Sequence, residues 1–156
     1  MAEIQSVLKP LELFETLMQE TYAKLAQRFG GDADAAALFT RLAFEERSHV
    51  GQVQFLRRLA RQNPGHFSEV DVDLEAIRSE VEQIERVHAA VDQLSLREAV
   101  VLSIEFESGV AEVHSRPAIA GSNREVGTML QSLHTADLKH YTSLVEFARK
   151  RGFRVN

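Results

Sequence analysis

Residues 39–56 read FTRLAFEERSHVGQVQFL. Phe39, Leu42, Val53 and Leu56 recur at three- and four-residue spacing, which predicts one apolar stripe of an α-helix. The two positions that complete this stripe are Glu46 and His49. Side chains three residues apart share a helix face, so a carboxylate and an imidazole point where a core is expected. An ionised carboxylate buried without a partner is very costly. Something else in the chain has to satisfy this pair.

The preceding helix is expected over residues 6–29, stopped by Gly30-Gly31. Its stripe is Leu8, Leu11, Glu15, Met18, Tyr22, Leu25 and Phe29, with one acid, Glu15, in the seam. Glu12 and Glu20 fall off that stripe and read as solvated. Asp32 or Asp34 can cap the second helix, which continues to about Gln62 before Asn63-Pro64-Gly65 ends it. Two long helices joined by a short turn form an antiparallel hairpin, so Glu15 can face Glu46 and His49.

After a polar loop over 63–73, Leu74, Ile77, Val81, Ile84 and Val91 mark a third amphipathic helix with no acid on its stripe. At 1.5 Å per residue it reaches roughly 28 Å, the length of a small bundle, and suits a packing crossover. Ser95 with Glu98 three residues later forms a capping-box pattern. The fourth helix then carries Val100, Ile104, Glu107, Ala111 and His114 on its stripe, up to Arg116-Pro117. The last helix follows Gly121-Ser122-Asn123, runs to about Arg151 and stops at Gly152. Its seam is Val126, Leu130, Leu133, Asp137, His140, Leu144 and Phe147. Glu105 and Glu112 lie to the side.

One plan therefore occurs twice. A helix with a seam acid is followed by a helix with an acid-x-x-His pair: Glu15 with Glu46 and His49, then Glu107 with Asp137 and His140. Two facing hairpins would bring six side chains together at mid-bundle. Four buried carboxylates repel, and without metal only protonation relieves them. Two divalent cations cancel four carboxylate charges while neutral histidines complete the coordination, the ligand plan of carboxylate-bridged di-iron and di-manganese bundles. Leu42, Ile104 and Leu133 would keep such a centre dry. The competing metal-free reading is a helical interaction bundle whose acids are partly protonated.

Composition sets the outer bounds. The 156 residues suffice for one domain, and 44% hydrophobic with 26% charged residues is ordinary for a globular chain. Few prolines and glycines leave long stretches free for an all-α fold. A net charge of -5 and the lack of a basic stripe with interleaved aromatics argue against nucleic acid. The absence of cysteine excludes disulfides, thiolate metal sites and iron–sulfur clusters in this chain. Residues 1–10 lack a signal-peptide pattern and no apolar run is long enough for a bilayer, so a cytoplasmic protein with no membrane partner is expected.

The segments Glu15-x6-Tyr22, Ala43-x2-Glu46-x2-His49, Glu107 within IEFES, and Asp137-x2-His140 within DLKHYTSL resemble the rubrerythrin branch of the ferritin-like superfamily. The resemblance spans about residues 8–151. It implies a ferritin-like four-helix bundle with a long connection between helices two and three, two non-haem iron ions (manganese or zinc as other candidates) and a homodimer. It also implies an oxidoreductase acting on peroxide, oxygen or ferrous iron. Tyr22 is similar to a tyrosine that the family places behind its ligands, and His114 holds the corresponding place beside Glu107 as a supporting donor or an extra ligand. The chain departs from the family at three points. Asp137 stands where the family usually has Glu. Val110 stands where peroxidase-type members carry a second Glu. No rubredoxin module is present, so electrons would come from another protein. The first two departures suit an alternative role as an iron or manganese buffer or delivery protein without multiple turnover.

Overall fold

The computed structural model describes residues 2–67, 69–70, 72–114 and 124–155. Five α-helices make up most of them: α1 (Ile4–Arg28), α2 (Ala33–Gln62), α3 (Leu74–Ala90), α4 (Leu96–His114) and α5 (Arg124–Lys150). A 3₁₀ turn over Val91–Gln93 follows α3. A two-residue antiparallel bridge sets Ala2 opposite Val70 and Glu3 opposite Glu69.

Local chemistry sets the helix ends. Glu3 caps α1, its carboxylate accepting from the amides of Gln5 and Ser6, so α1 starts two residues before the expected Ser6. Asp32 accepts from the Ala35 amide to start α2, and Asp73 does the same for α3 through Ala76. The capping box at α4 closes reciprocally: Ser95 N donates to Glu98 Oε2 at 2.8 Å, and Glu98 N donates to Ser95 Oγ at 3.2 Å. Gly152 at φ +69° ends α5, with Phe153 N donating to Ala148 O. That backbone conformation is strained for residues with a Cβ.

Packing follows the apolar stripes. α1 and α2 form one antiparallel hairpin, and α4 packs with α5. α3 lies lengthwise along α1. Its start is held near the start of α1 by the β-bridge, and Arg28 Nε at the far end of α1 donates to Leu94 O just beyond α3, at 2.8 Å. Two apolar clusters occupy opposite ends of the molecule. One contains Ile4, Leu8, Leu11, Val53, Leu56, Leu130 and Leu133. The other contains Phe14, Met18, Tyr22, Phe39, Leu42, Ile104 and Leu144.

Between these clusters, among the described residues, the seams of α1, α2, α4 and α5 carry polar side chains. Glu15, Glu46, His49, Glu107, Asp137 and His140 stand there, each no more than 4% exposed. The core is thus two hydrophobic halves separated by one polar layer. Leu133 is fully buried on the α5 side of this layer. Leu133→Ala should cost about 2–5 kcal/mol through lost transfer energy and the cavity left behind. In urea denaturation the midpoint should fall while the slope stays unchanged.

One solvation expectation needs correction. Glu12 is part-buried and binds Arg57, with Gln54 Nε2 donating to it at 3.1 Å, because α2 covers that flank of α1. On α3, the His88 side chain is 23% exposed and its Nε2 lies 3.4 Å from Glu20. Glu20 itself is exposed, as its place off the stripe predicts. Among the described residues no helix is long and apolar enough to cross a membrane.

Candidate metal centre

The polar layer is built by helix periodicity. Glu46 and His49 lie one turn apart on α2, and the Glu46 carboxylate reaches both halves of the layer. Its Oε2 is 2.9 Å from His49 Nδ1, while its Oε1 is 3.1 Å from His140 Nδ1 on α5. His49 Nδ1 also lies 3.5 Å from Glu15 Oε2, and His140 Nδ1 lies 3.4 Å from Glu107 Oε1. The two imidazoles stack with centroids 5.4 Å apart and planes at 23°.

Two compact donor groups result, Glu15–Glu46–His49 and Glu46–Glu107–His140, and Glu46 belongs to both. Each group offers two carboxylates and one ring nitrogen, a donor set that could hold a metal ion. The fit shows most directly at His140. Its buried Nδ1 sits close to two carboxylate oxygens yet has no aligned hydrogen bond. Such an arrangement suits a cation between nitrogen and oxygens better than a proton on a line between two of them.

Electrostatics in the layer follow from burial and charge crowding. Burial pushes the Glu15 carboxyl well above the ordinary carboxylate range, with the neighbouring Glu46 and Asp137 charges adding to it against His49. Burial likewise raises Glu107 to about 7, against the lowering effect of His140. Glu46 behaves oppositely. Burial opposes its ionisation, but contacts with His140 and His49 outweigh burial and hold it well below the ordinary range. Burial disfavours both imidazolium ions, yet their carboxylate contacts raise His49 and His140 to about 11 each. Protons on the two rings and on the outer acids thus take the place that cations would occupy.

Asp137 is buried in the same layer, close enough for its charge to raise both Glu15 and Glu107. It does not join either compact donor group. One methylene less than Glu shortens its reach by about 1.5 Å. Five of the six anticipated ligands therefore come together in two groups, and the sixth stands beside them.

Tyr22 is 1% exposed and donates its hydroxyl proton to Glu107 Oε1 at 2.5 Å. Its ring packs on Phe39, centroids 6.1 Å apart, so the donor is held rigidly behind the centre. Burial and the Glu107 charge push its own pKa well above 10. The side chains of His114, Val110, Ala111 and Val126 lie outside the described residues. Tyr141 packs against the apolar cluster as a partly buried residue.

One residue of the centre escaped the sequence reading. Glu45 Oε2 lies 2.7 Å from His140 Nε2, and the Glu45 side chain is 44% exposed. Its only signal is the Glu45-Glu46 doublet, which sets one acid in the seam and the other on the flank facing α5. Glu45 also lines an open groove of about 580 Å³ between α2 and α5, with Arg41, Leu138 and Lys139.

These features define a class: an all-helical protein with a buried carboxylate–histidine centre able to hold metal. No family model, no curated protein and no solved structure matches the chain.

Proposed function

We propose that this chain is a ferritin-like di-iron protein of the rubrerythrin type. In this reading α1, α2, α4 and α5 form the four-helix bundle and α3 is the long crossover between its hairpins. Glu15, Glu46, His49, Glu107 and His140 hold two iron ions, with Asp137 completing the set. One observation carries the reading: the two oxygens of Glu46 face two separate donor groups, each with its own histidine. A carboxylate shared in this way would serve both ions of a pair, and two divalent ions would neutralise four buried carboxylates.

When bound, an iron pair would supply redox chemistry in which peroxide or oxygen is reduced while ferrous iron, of the pair or incoming, is oxidised. The chain's own residues set the conditions. The apolar clusters on either side exclude bulk water from the ligands. Tyr22 keeps Glu107 oriented by its hydrogen bond. Because the chain has no cysteine to hold an iron–sulfur centre or rubredoxin-type iron, repeated turnover requires an external electron donor. Asp137 favours a second reading. With its carboxylate outside both compact groups, the pair would be held less symmetrically, which suits binding and release of iron or manganese without multiple turnover.

Anaerobic ferrous titration with metal analysis tests the site, and two irons per chain are expected. Peroxide or oxygen should then oxidise the pair, and a reductant should restore it over repeated cycles. A single oxidation without recovery supports the buffering role. Failure to bind metal overturns both readings in favour of a metal-free helical bundle.

A further inference from the structure

The two donor groups are alike in composition but not in how they are held. We propose, building on the di-metal reading, that the two positions fill in order, the one formed by Glu46, Glu107 and His140 taking metal first.

Three observations describe how this position is held. The first concerns His140. Glu45 Oε2 lies 2.7 Å from His140 Nε2, a distance at which the Nε2–H donates to the carboxylate oxygen and holds the ring in place. Nδ1 is thereby turned into the centre, toward Glu46 and Glu107. A carboxylate behind a ligating imidazole fixes its tautomer and raises its basicity. Among the described residues no carboxylate meets His49 Nε2 in this way; both carboxylate contacts of His49 go through Nδ1, the atom a metal would need.

The second is the bond that metal must displace. His49 Nδ1 is engaged in a 2.9 Å hydrogen bond with Glu46 Oε2. His140 Nδ1 has no aligned hydrogen bond to lose. The third is Tyr22, whose buried hydroxyl orients Glu107 before any metal arrives. Preorganised ligands bind with less loss of conformational freedom. Glu45 also lines the α2–α5 groove, so the better-held position adjoins an opening in the molecular surface. Glu45 is a positioning residue, acting on metal only through His140.

The test is titration of the full chain with Mn(II), followed by binding isotherms and electron paramagnetic resonance. With one equivalent, ordered filling leaves a mononuclear six-line spectrum. The second equivalent converts it to the broadened signal of a coupled pair. His49→Ala should abolish the second event and keep the first, whereas His140→Ala should abolish the tighter event. Glu45→Ala and Tyr22→Phe should each weaken the first event about 10–100-fold. Glu45→Gln, which retains an acceptor, should recover part of that loss. Circular dichroism of each variant establishes that the helices persist.

A coupled spectrum from the first addition overturns the ordering, as does loss of the tighter event in His49→Ala but not in His140→Ala. So does an unchanged first event in both Glu45→Ala and Tyr22→Phe. In those cases the parent still binds two ions and the di-metal reading stands. A parent protein that binds no Mn(II) overturns both.

Discussion

Glu46→Ala is expected to weaken metal binding at both positions at once, by at least a hundredfold each. Glu46 is the one side chain common to the two donor groups, contributing Oε2 to one and Oε1 to the other. Breaking a buried, hydrogen-bonded charge interaction costs about 3–5 kcal/mol, and each 1.4 kcal/mol is about tenfold in affinity. A change at Glu15 removes a donor from one group only, and so does a change at Glu107. The comparison among the three variants separates a bridge from an ordinary ligand.

The fold should survive this substitution. Without metal, Glu46 is the ionised partner of two imidazolium rings. Its removal leaves those rings facing Glu15 and Glu107, both able to ionise in compensation, and the rings themselves can release protons. Stability should fall while the far-ultraviolet dichroism stays helical. Competition titration against a chromophoric chelator measures both affinities. Unchanged stoichiometry and affinity in Glu46→Ala would sink the bridging assignment.

The polar layer was legible in the sequence because helix periodicity alone determines which residues share a seam. Glu15, Glu46, His49, Glu107, Asp137 and His140 all sit where an apolar residue would otherwise be, and all are buried. What periodicity does not encode is the rotation of one helix against its neighbour. Glu45 lies on the flank of α2 and becomes part of the centre only because α5 presents His140 Nε2 to it. Glu12 reads as solvated for the same reason, until α2 brings Arg57 and Gln54 over it. That Tyr22 meets Glu107 and Glu45 meets His140 likewise comes from contacts between helices, which the repeat in the sequence does not encode.

Metal binding should release protons, and the pH dependence of stability should differ between metal-free and metal-loaded protein. In the metal-free protein His49 and His140 are raised to about 11 from an ordinary value near 6.5. Between those limits the folded state binds more protons than the unfolded chain. The stability this contributes is complete below about pH 6.5 and declines as pH rises toward 11. The slope is at most about 1.4 kcal/mol per pH unit for each ring. Glu107, raised to about 7, acts in the same direction over about pH 4.5–7, and Glu15 shares its sign. Glu46 acts oppositely: its depressed pKa supports the fold above about pH 4.5 and is lost as pH falls. The metal-free protein should therefore be most stable in mild acid and lose stability steadily from neutral to alkaline pH. Metal ligation by Nδ1 requires each ring to give up one proton. Apparent affinity should thus rise with pH, with about one proton released per ion above pH 7 and more near pH 6, where Glu15 and Glu107 contribute. The melting-temperature increment produced by metal should grow from pH 6 to pH 8.5, since loading removes the proton excess that weakens the alkaline limb. Calorimetric titration in buffers of different ionisation enthalpy counts the protons directly. An affinity independent of pH over this range would mean that the imidazoles are not the groups the metal displaces protons from, and would remove both histidines from the ligand set.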